Sequence, residues 1–368
     1  MKEFDWKLTI KSTILRFKIM GLWPEGNDTY KLNLYTLWSI FCVTLFTFGH
    51  CLFQAINIVF IFNDLEAVIA TIYVTLSELL ILIKAYLIIK NMKILKQLMV
   101  TLSSDLFQPR NDRQIELVKP ALKFWKKVSS LFWIMASSTV FFWSTFPIFD
   151  NSIKYRRLPL LAWYPFNTKI SPNYEITYAY QVIGSVFTVG TALCIDTMIA
   201  ALNMYIGAQF DILCDDIRHL FDYKDDTLTD VNQKLIQCVT HHREILKFAD
   251  NAKKFSSWII LGQFLISGIS IGMTMFQLTK VVPLSSEFVS LITCLLSMTI
   301  EIFMYCWFGN EVEIKSNEMS YAIFESDWTD ASMDMKKHII FFVMGCHKPL
   351  KISALDLFYL SLDTFMGA

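Results

Sequence analysis

Six apolar segments, each long enough to cross a lipid bilayer, are the feature that most constrains this 368-residue chain. The hydrocarbon core of a bilayer is about 30 Å thick, and a helix needs roughly 20 mostly apolar residues to cross it. None of the segments alternates between apolar and polar residues, as the strands of a membrane barrel would. We therefore predict an all-α, polytopic membrane protein. The predicted spans are Leu34 to Phe62, Glu66 to Ile89, Val128 to Phe149, Ile176 to Ile206, Trp258 to Val282 and Phe288 to Phe308.

The composition agrees with a membrane protein and excludes several other classes. Hydrophobic residues make up 54% of the chain and charged residues only 18%, against roughly 25% charged residues in soluble domains. The 33 basic and 33 acidic residues cancel, so no basic surface for nucleic acid is predicted. Residues 1–18 carry several charges instead of a continuous apolar stretch, so we expect no cleavable signal peptide and an insertion signal in the first span.

The distribution of lysine and arginine predicts the orientation of the chain, because basic residues are enriched in cytoplasmic loops. Alternate segments carry 27 and 5 basic residues, and the remaining one, Lys84, lies inside the second span. The N-terminus is therefore predicted to be cytoplasmic, which disfavours a G-protein-coupled receptor with its external N-terminus. The basic-rich segments are residues 1–33, 90–127, 207–257 and 310–357, and the basic-poor segments are residues 63–65, 150–175 and the turn at Pro283.

No arrangement of residues predicts catalysis, a metal site or a cofactor. His241 and His242 are adjacent, so on a helix their side chains point about 100° apart and do not chelate a metal from one face. We interpret them as a solvated helix surface. The same interpretation applies to the acidic pairs Asp215-Asp216 and Asp225-Asp226, which lack a glycine-rich phosphate loop nearby. No cysteine falls in an external loop, so no disulfide is expected.

Four ionisable residues fall inside the predicted spans, where charge is costly and often functional. Glu78, near the middle of the second span, is expected to face protein or water. Lys84 lies near the cytoplasmic end of that span, and its long side chain is expected to extend to the membrane surface. Asp196 and Glu301 are expected to bond to neighbouring helices.

The outer halves of several spans combine aromatic and small polar side chains, as the walls of a small-molecule cavity do. The alternative interpretation is that these rings face lipid or pack between helices. On the first interpretation we predict a binding site for a small apolar ligand. Its candidate residues are Tyr73, Ser77, Thr139, Phe142, Trp143, Phe146, Tyr178, Gln181, Ser185, Ser290, Thr293 and Ser297.

The chain resembles insect odorant receptors over nearly its whole length, in the order and spacing of several short motifs. The most specific motifs lie in the last 65 residues, where the sixth span ends in Tyr-Cys-Trp-Phe-Gly-Asn-Glu-Val at positions 305–312. Residues 348–354 then read Lys-Pro-Leu-Lys-Ile-Ser-Ala, and Phe358 and residues 360–365 follow. Earlier motifs in the same order are Tyr164-Pro165-Phe166, Ser171-Pro172, Tyr174-Glu175, Tyr180-Gln181, Cys238, His241-His242, Phe248-Ala249 and Ser326-Asp327-Trp328.

This resemblance implies a seven-helix channel subunit with its N-terminus inside the cell. Family members act as odorant-gated cation channels, in which a divergent tuning subunit binds a small volatile odorant and a co-receptor completes a hetero-tetramer. The chain is similar to a tuning subunit, because residues 207–257 lack the long insertion of the co-receptor. Gustatory receptors, which are ligand-gated channels of the same topology, and a receptor that signals through G proteins are the alternatives.

The resemblance also implies a domain organisation. Residues 1–33 form a cytoplasmic arm, residues 34–310 a six-helix transmembrane domain, and residues 311–357 a cytoplasmic anchor segment. Residues 358–368 are expected to begin a seventh, pore-lining helix, which at about 1.5 Å per residue covers roughly half of a bilayer. We therefore expect the last helix to be truncated. The predicted channel and anchor residues are Leu360, Ser361, Leu362, Asp363, Thr364 and Phe365.

Overall fold

The computed structural model describes residues 4–24, 26, 33–63, 65–222 and 228–367. Within these residues, six helical segments are long and apolar enough to cross a membrane, and each corresponds to one of the six predicted spans. The first combines α2 (Leu34–Phe41), a π-helical stretch (Cys42–Phe48) and α3 (Gly49–Phe60). The others are α4 (Leu65–Lys90), α6 (Asp112–Phe149), α7 (Asn173–Arg218), α8 (Leu228–Leu278) and α9 (Ser286–Glu325).

Several of these helices extend well beyond the predicted spans. Helix α7 has 46 residues, so it is roughly 69 Å long and exceeds the thickness of a bilayer. Helix α6 begins at Asp112, 16 residues before its predicted span, and continues through Pro120. The apolar pattern predicts only the part of a helix that lies in lipid, because the part in water takes polar residues without losing its backbone hydrogen bonds.

Shorter elements surround the long helices. Side chains accept hydrogen bonds at several helix starts, as at Asn33, where Oδ1 accepts from the Thr36 amide at 2.8 Å. Such caps satisfy backbone donors that the helix leaves unpaired. The shorter elements are α1 (Lys7–Ile19), α5 (Met92–Leu102), α10 (Met333–Cys346), α11 (Leu362–Gly367), the antiparallel strands β1 (Ser353–Ala354) and β2 (Phe358–Tyr359), and single 3₁₀ turns at Asp105–Phe107, Ser152–Tyr155 and Trp328–Asp330.

Helix α7 is the centre of the fold. It packs against α1, α6, α8 and α9, and every residue from 193 to 210 is buried. A helix that is apolar on all sides is stable only when other elements cover it. The other long helices are therefore arranged around α7, and each has one side facing outward.

A buried charge cluster joins three of the long helices. Lys84 of α4 donates to Asp196 Oδ1 of α7 at 2.7 Å and to Glu301 Oε1 of α9 at 3.1 Å. The Tyr305 hydroxyl donates to the same Asp196 oxygen at 2.6 Å. The expectation that Lys84 reaches the membrane surface is wrong, because its side chain is only 1% exposed. Two carboxyl groups hold it in the interior, and the expected bonding of Asp196 and Glu301 to neighbouring helices is confirmed.

The histidine and aspartate pairs are also more buried than predicted. His241 is 1% exposed, and one of its ring nitrogens lies 3.0 Å from Gln209 Oε1 of α7. Asp215 is buried and pairs with Arg113 at 3.0 Å, and Asp216 accepts from the Gln114 amide at 2.7 Å. The interpretation as solvated surface is therefore wrong for these pairs, since α8 and the start of α6 pack over this end of α7. The Asp225-Asp226 pair lies outside the described residues.

The chain after α10 forms a small hairpin that packs against α9. Strand β1 pairs with β2, so Phe358 and Tyr359 are extended rather than helical. The predicted start of the terminal helix at Phe358 is therefore wrong. Helix α11 begins at Leu362, where the Ser361 hydroxyl accepts from the Thr364 amide at 3.1 Å. The Lys253 ammonium donates to Asp356 in the β-turn at 2.6 Å and lowers the pKa of that carboxyl.

Gly309 provides the space in which the hairpin sits. A Cβ atom at this position of α9 would lie 2.4 Å from Leu360 Cβ and 2.7 Å from the Leu360 carbonyl oxygen. The aromatic ring of Phe365 in α11 then packs edge-on against Phe303 of α9, with ring centroids 5.5 Å apart. The position of α11 therefore depends on close contact between the backbone of α9 and Leu360.

We predict that Lys84→Met destabilises the protein by about 3 to 5 kcal/mol, because it leaves two buried carboxyl groups without their cation. The triple variant Lys84→Met/Asp196→Asn/Glu301→Gln removes all three ionisable groups and should recover most of this loss. Thermal unfolding of the purified protein in detergent measures both variants. A triple variant as unstable as the single one would show that the ion pairs are not the cause.

We predict that Gly309→Ala lowers stability by about 1 to 3 kcal/mol, since the added methyl group overpacks the contact with Leu360. The matched control is Gly345→Ala in α10, where a Cβ meets no atom within 4 Å. Alanine favours a helix over glycine, so this control should melt at the same or a higher temperature. Equal destabilisation of both variants in a thermal melt would contradict the prediction.

Candidate ligand cavity

A cavity of about 180 Å³ lies at the crossing of α4, α6, α7 and α9. Each helix contributes residues spaced three or four apart, which is the spacing of one helical face. On α6, for example, Phe132, Ala136, Thr139 and Trp143 follow one another along the wall. The remaining lining residues are Tyr73, Val74, Ser77, Glu78 and Ile81 of α4, Val140 of α6, Ser185, Thr188, Val189, Ala192 and Leu193 of α7, Cys294, Ser297, Met298 and Glu301 of α9, and Leu160 of the loop before α7.

Half of the residues predicted from the sequence line this cavity. The rings of Tyr73 and Trp143 meet edge-on, with centroids 6.5 Å apart, and form its aromatic end. The other predicted residues in the wall are Ser77, Thr139, Ser185 and Ser297. The structure therefore brings together predicted residues from all four helices.

Ser290 does not line this cavity but lines a smaller one described below, and four other predicted residues line neither. The Phe142 ring packs against Phe141, with centroids 5.6 Å apart. The Tyr178 hydroxyl donates to the Ser144 carbonyl of α6, and the Thr293 hydroxyl donates to the Ser290 carbonyl at 2.9 Å. The fourth residue, Gln181, holds a loop. The side chain of Phe146 is outside the described part of the structure.

Gln181 fixes the loop that covers the cavity. Its Oε1 accepts from the Leu160 amide at 3.0 Å, and its Nε2 donates to the Leu160 carbonyl at 3.0 Å. The same Nε2 lies 3.2 Å from the Tyr164 hydroxyl. A buried amide with all its bonds made to protein has little capacity left for a ligand. Gln181 therefore holds Leu160 over the cavity.

The hydroxyl groups in the wall are largely engaged with their own helices. Ser77 donates to the Tyr73 carbonyl at 2.9 Å, and Ser297 donates to the Cys294 carbonyl at 2.8 Å. Thr139 donates in the same way to Met135 at 3.1 Å. Such local bonds occupy the single proton of each hydroxyl, so these groups face the cavity mainly as weak acceptors. The cavity is accordingly apolar in character.

Two carboxyl groups line the cavity, and both are held by protein partners. Glu301 accepts from Lys84 in the charge cluster. Glu78 accepts from Gln54 Nε2 at 2.8 Å, and the His50 ring nitrogen Nδ1 lies 3.1 Å from it. The expectation that Glu78 faces protein is confirmed. Among the described residues, no group of three His, Cys, Asp or Glu side chains could hold a metal ion.

A second, smaller cavity of about 110 Å³ adjoins the first on the side of the loop before α7. The two cavities share Tyr73, Val74, Trp143 and Leu160 in their walls. These side chains therefore stand between the inner cavity and a path that runs past Arg157 and Glu287 towards the helix ends.

Most of the apolar lining residues were not predicted. Ala136, Val140, Val189 and Met298 look like ordinary packing residues in the sequence. The signal that finds them is the spacing of three or four from the polar candidates, as Ala136 to Thr139 and Val189 to Ser185. The spacing shows that these residues share a helical face with the polar candidates. Only the contacts with neighbouring helices show that this face lines a cavity.

Comparison with known proteins agrees with this geometry. The family model described as 7tm Odorant receptor matches residues 64–367. Odorant receptor Or1 of Anopheles gambiae is 25% identical, over 96% of this chain and 90% of its own length. Odorant receptor 94a of Drosophila melanogaster is 21% identical, over 83% of this chain and 79% of its own length.

Solved structures share the fold at lower sequence identity. The insect olfactory receptor OR5 from Machilis hrabei superimposes with a TM-score of 0.86, at 20% identity and with coverage of 99% of this chain and 96% of that chain. Its complex with eugenol gives a TM-score of 0.85. The predicted seven-helix receptor fold is thereby confirmed, and the match favours neither the gustatory nor the G-protein alternative. Members of this family are receptors, so the prediction that the chain is not an enzyme is confirmed too, and the chain belongs to the 7tm odorant receptor family.

Proposed function

We propose that this chain is an odorant-binding subunit of a ligand-gated cation channel in the cell membrane. The observation that carries the proposal is the apolar cavity between α4, α6, α7 and α9. Its volume of about 180 Å³ suits a molecule the size of benzene or somewhat larger, since an apolar cavity of roughly 150 Å³ binds benzene. The ligand is therefore a small, mostly apolar molecule of the kind that is volatile.

The proposed ligand enters through the outer cavity. Tyr73, Trp143 and Leu160 separate the two spaces, so rotation of the Trp143 indole opens the inner one. Burial of the ligand against these rings supplies most of its affinity, at about 25 cal/mol per Å² of apolar surface. The weak acceptors in the wall orient any polar group that the ligand carries.

Helix α9 connects the proposed ligand site to the terminal helix. One part of α9 supplies Ser297 and Glu301 to the cavity wall. The next turns supply Phe303 and Gly309, which contact α11 and the hairpin. If the ligand binds the open state of the channel more tightly than the closed state, it shifts the population towards open channels. A displacement of α9 transmits this preference to α11, the helix that lines the pore in our proposal.

The proposed assembly is a hetero-tetramer with the odorant-receptor co-receptor, with the N-terminal arm in the cytosol and lipid around the helices. The 27-to-5 distribution of basic residues supports this orientation. The large exposed apolar side chains on the outer faces of the spans, such as Ile134 at 64% and Ile176 at 63%, suit contact with lipid. Each of these proposals is tested by expression in cells.

We predict that Trp143→Ala and Tyr73→Ala reduce odorant sensitivity about 5- to 150-fold, because loss of a ring against the ligand removes roughly 1 to 3 kcal/mol. The measurement is odorant-evoked current in cells that express each variant with the co-receptor, against an odorant panel. The matched control is Phe141→Ala, which removes an outward ring (56% exposed) from the same helix. If Trp143→Ala and Phe141→Ala gave the same dose–response curve as the unmodified chain, the cavity would not be the ligand site.

We predict that epitope tags at Met1 and at position 225 are accessible to antibody only after the cells are permeabilised. The reason is the concentration of basic residues in both segments, which holds them in the cytosol. A tag inserted at position 168, in the loop before α7, is the control and should stain intact cells. Staining of the N-terminal tag in intact cells would contradict the proposed orientation.

A further inference from the structure

A third cavity lies on the outside of the helix bundle and is separate from the two cavities of the proposed ligand site. It is a groove of about 910 Å³ between α1 and α6. Helix α1 packs on α7 through Thr9, Ile10, Thr13 and Phe17, which are buried. The opposite face of α1 is not packed on α7, and the groove lies between this face and α6.

The groove is strongly basic. Lys11, Arg16 and Lys18 of α1 and Lys126 of α6 line it, and no acidic side chain of the described residues does. None of these four cations forms a salt bridge within the described part of the chain. The net charge of the whole chain is zero, so the groove is more basic than the chain as a whole.

The groove also changes from polar to apolar along α6. Lys126, Ser129 and Ser130 line its polar end, and Trp133 and Ile134 line its apolar end. From Lys126 to Ile134 the helix rises roughly 12 Å, and the third predicted span, which lies within α6, begins at Val128. The polar end therefore lies at the depth of lipid headgroups, which occupy about 5 to 8 Å on each side of the hydrocarbon core.

Helix α1 shows the same combination of charged and apolar side chains. Leu8 and Leu15 line the groove beside Lys11 and are 60% and 59% exposed. The Arg16 guanidinium carbon lies 4.1 Å from the centroid of the Trp133 ring, a cation–π contact that holds the guanidinium at the groove wall. Arginine and lysine are the usual partners of phosphate groups, and exposed leucines suit acyl chains.

We propose that the groove between α1 and α6 is a binding site for one anionic phospholipid of the surrounding bilayer. The phosphate group lies at the polar end with Lys11 and Lys126, and the acyl chains run along Leu15, Trp133 and Ile134 into the hydrocarbon layer. In the proposed orientation this is the cytoplasmic leaflet, where anionic lipids are concentrated. The bound lipid then fills the space that separates the N-terminal arm from α6 and fixes the arm to the membrane surface.

The test uses the full chain, purified in a nonionic detergent and titrated with phosphatidylserine or phosphatidylcholine, with native mass spectrometry to count the lipids bound to each chain. We expect the first phosphatidylserine to bind at least tenfold more tightly than phosphatidylcholine. The headgroup alone, glycerophosphoserine, should displace little of it at equal concentration, because the apolar end of the groove contributes to binding. Equal affinity for the two lipids, or full displacement by the headgroup, would overturn the proposal.

A matched pair of variants tests the location. Lys11→Gln/Lys126→Gln removes two charges from the groove and should weaken phosphatidylserine binding on the order of 25-fold, at about fivefold per lysine near an anionic surface. Lys7→Gln/Lys127→Gln removes two charges from the same two helices outside the groove lining and should change the affinity less than fivefold. Lys11→Arg/Lys126→Arg keeps the charge and should bind as the unmodified chain does. An equal loss in the first two variants would place the effect on the whole basic surface and reject the groove.

Discussion

The pairing of Lys84 with Asp196 and Glu301 is the interaction on which the arrangement of the long helices depends. A single charge inside a membrane protein is costly, so each of these groups needs its partners in the folded state. The partners lie on three different helices, α4, α7 and α9, so satisfying all of them constrains how these helices pack. Tyr305 is the fourth residue of the cluster and lies one turn after Glu301 on α9.

This cluster also closes the inner end of the ligand cavity. Glu301 belongs both to the ion pairs and to the cavity wall, so the charged contact positions one side of an otherwise apolar space. The outer end is closed differently, by Leu160 and the Gln181 amide that holds it. The cavity therefore has an ion-paired carboxyl group at one end and a loop held by Gln181 at the other.

The face of α9 that lines the cavity and the face that contacts the hairpin follow one another along the same helix. Because interiors are close-packed, a helix moves as a unit when one of its faces is displaced. The absence of a side chain at Gly309 lets Leu360 contact the helix backbone, so there is little space to absorb such a movement. In the proposed mechanism, this close contact carries a displacement of α9 to the terminal segment.

Much of the site was predictable from residue types, and the limits of the prediction have physical causes. Tyr73, Trp143 and Ser185 were identified because aromatic and small polar side chains are typical of the walls of small-molecule cavities. Phe142 is aromatic like Trp143, but it comes one position earlier in α6. Its side chain therefore points about 100° away round the helix and does not line the cavity. The exposure of Lys84 and His241 was predicted wrongly for a related reason. A single sequence shows that a residue is polar, but it does not show which residue of another helix is its partner.

The sequence by itself determined the number of spans and their approximate limits, because lipid imposes a length of about 20 apolar residues on each helix. Those properties depend on each segment alone, whereas the family followed from the order and spacing of motifs along the chain. The tertiary structure decided the rotation of each helix about its axis, and with it which residues line the cavity, which ion pairs form and where the hairpin replaces a helix at Phe358. Helix rotation is set by contacts between residues far apart in the chain, such as Lys84 with Glu301 and Gly309 with Leu360. These contacts have no signal in the local pattern of either partner.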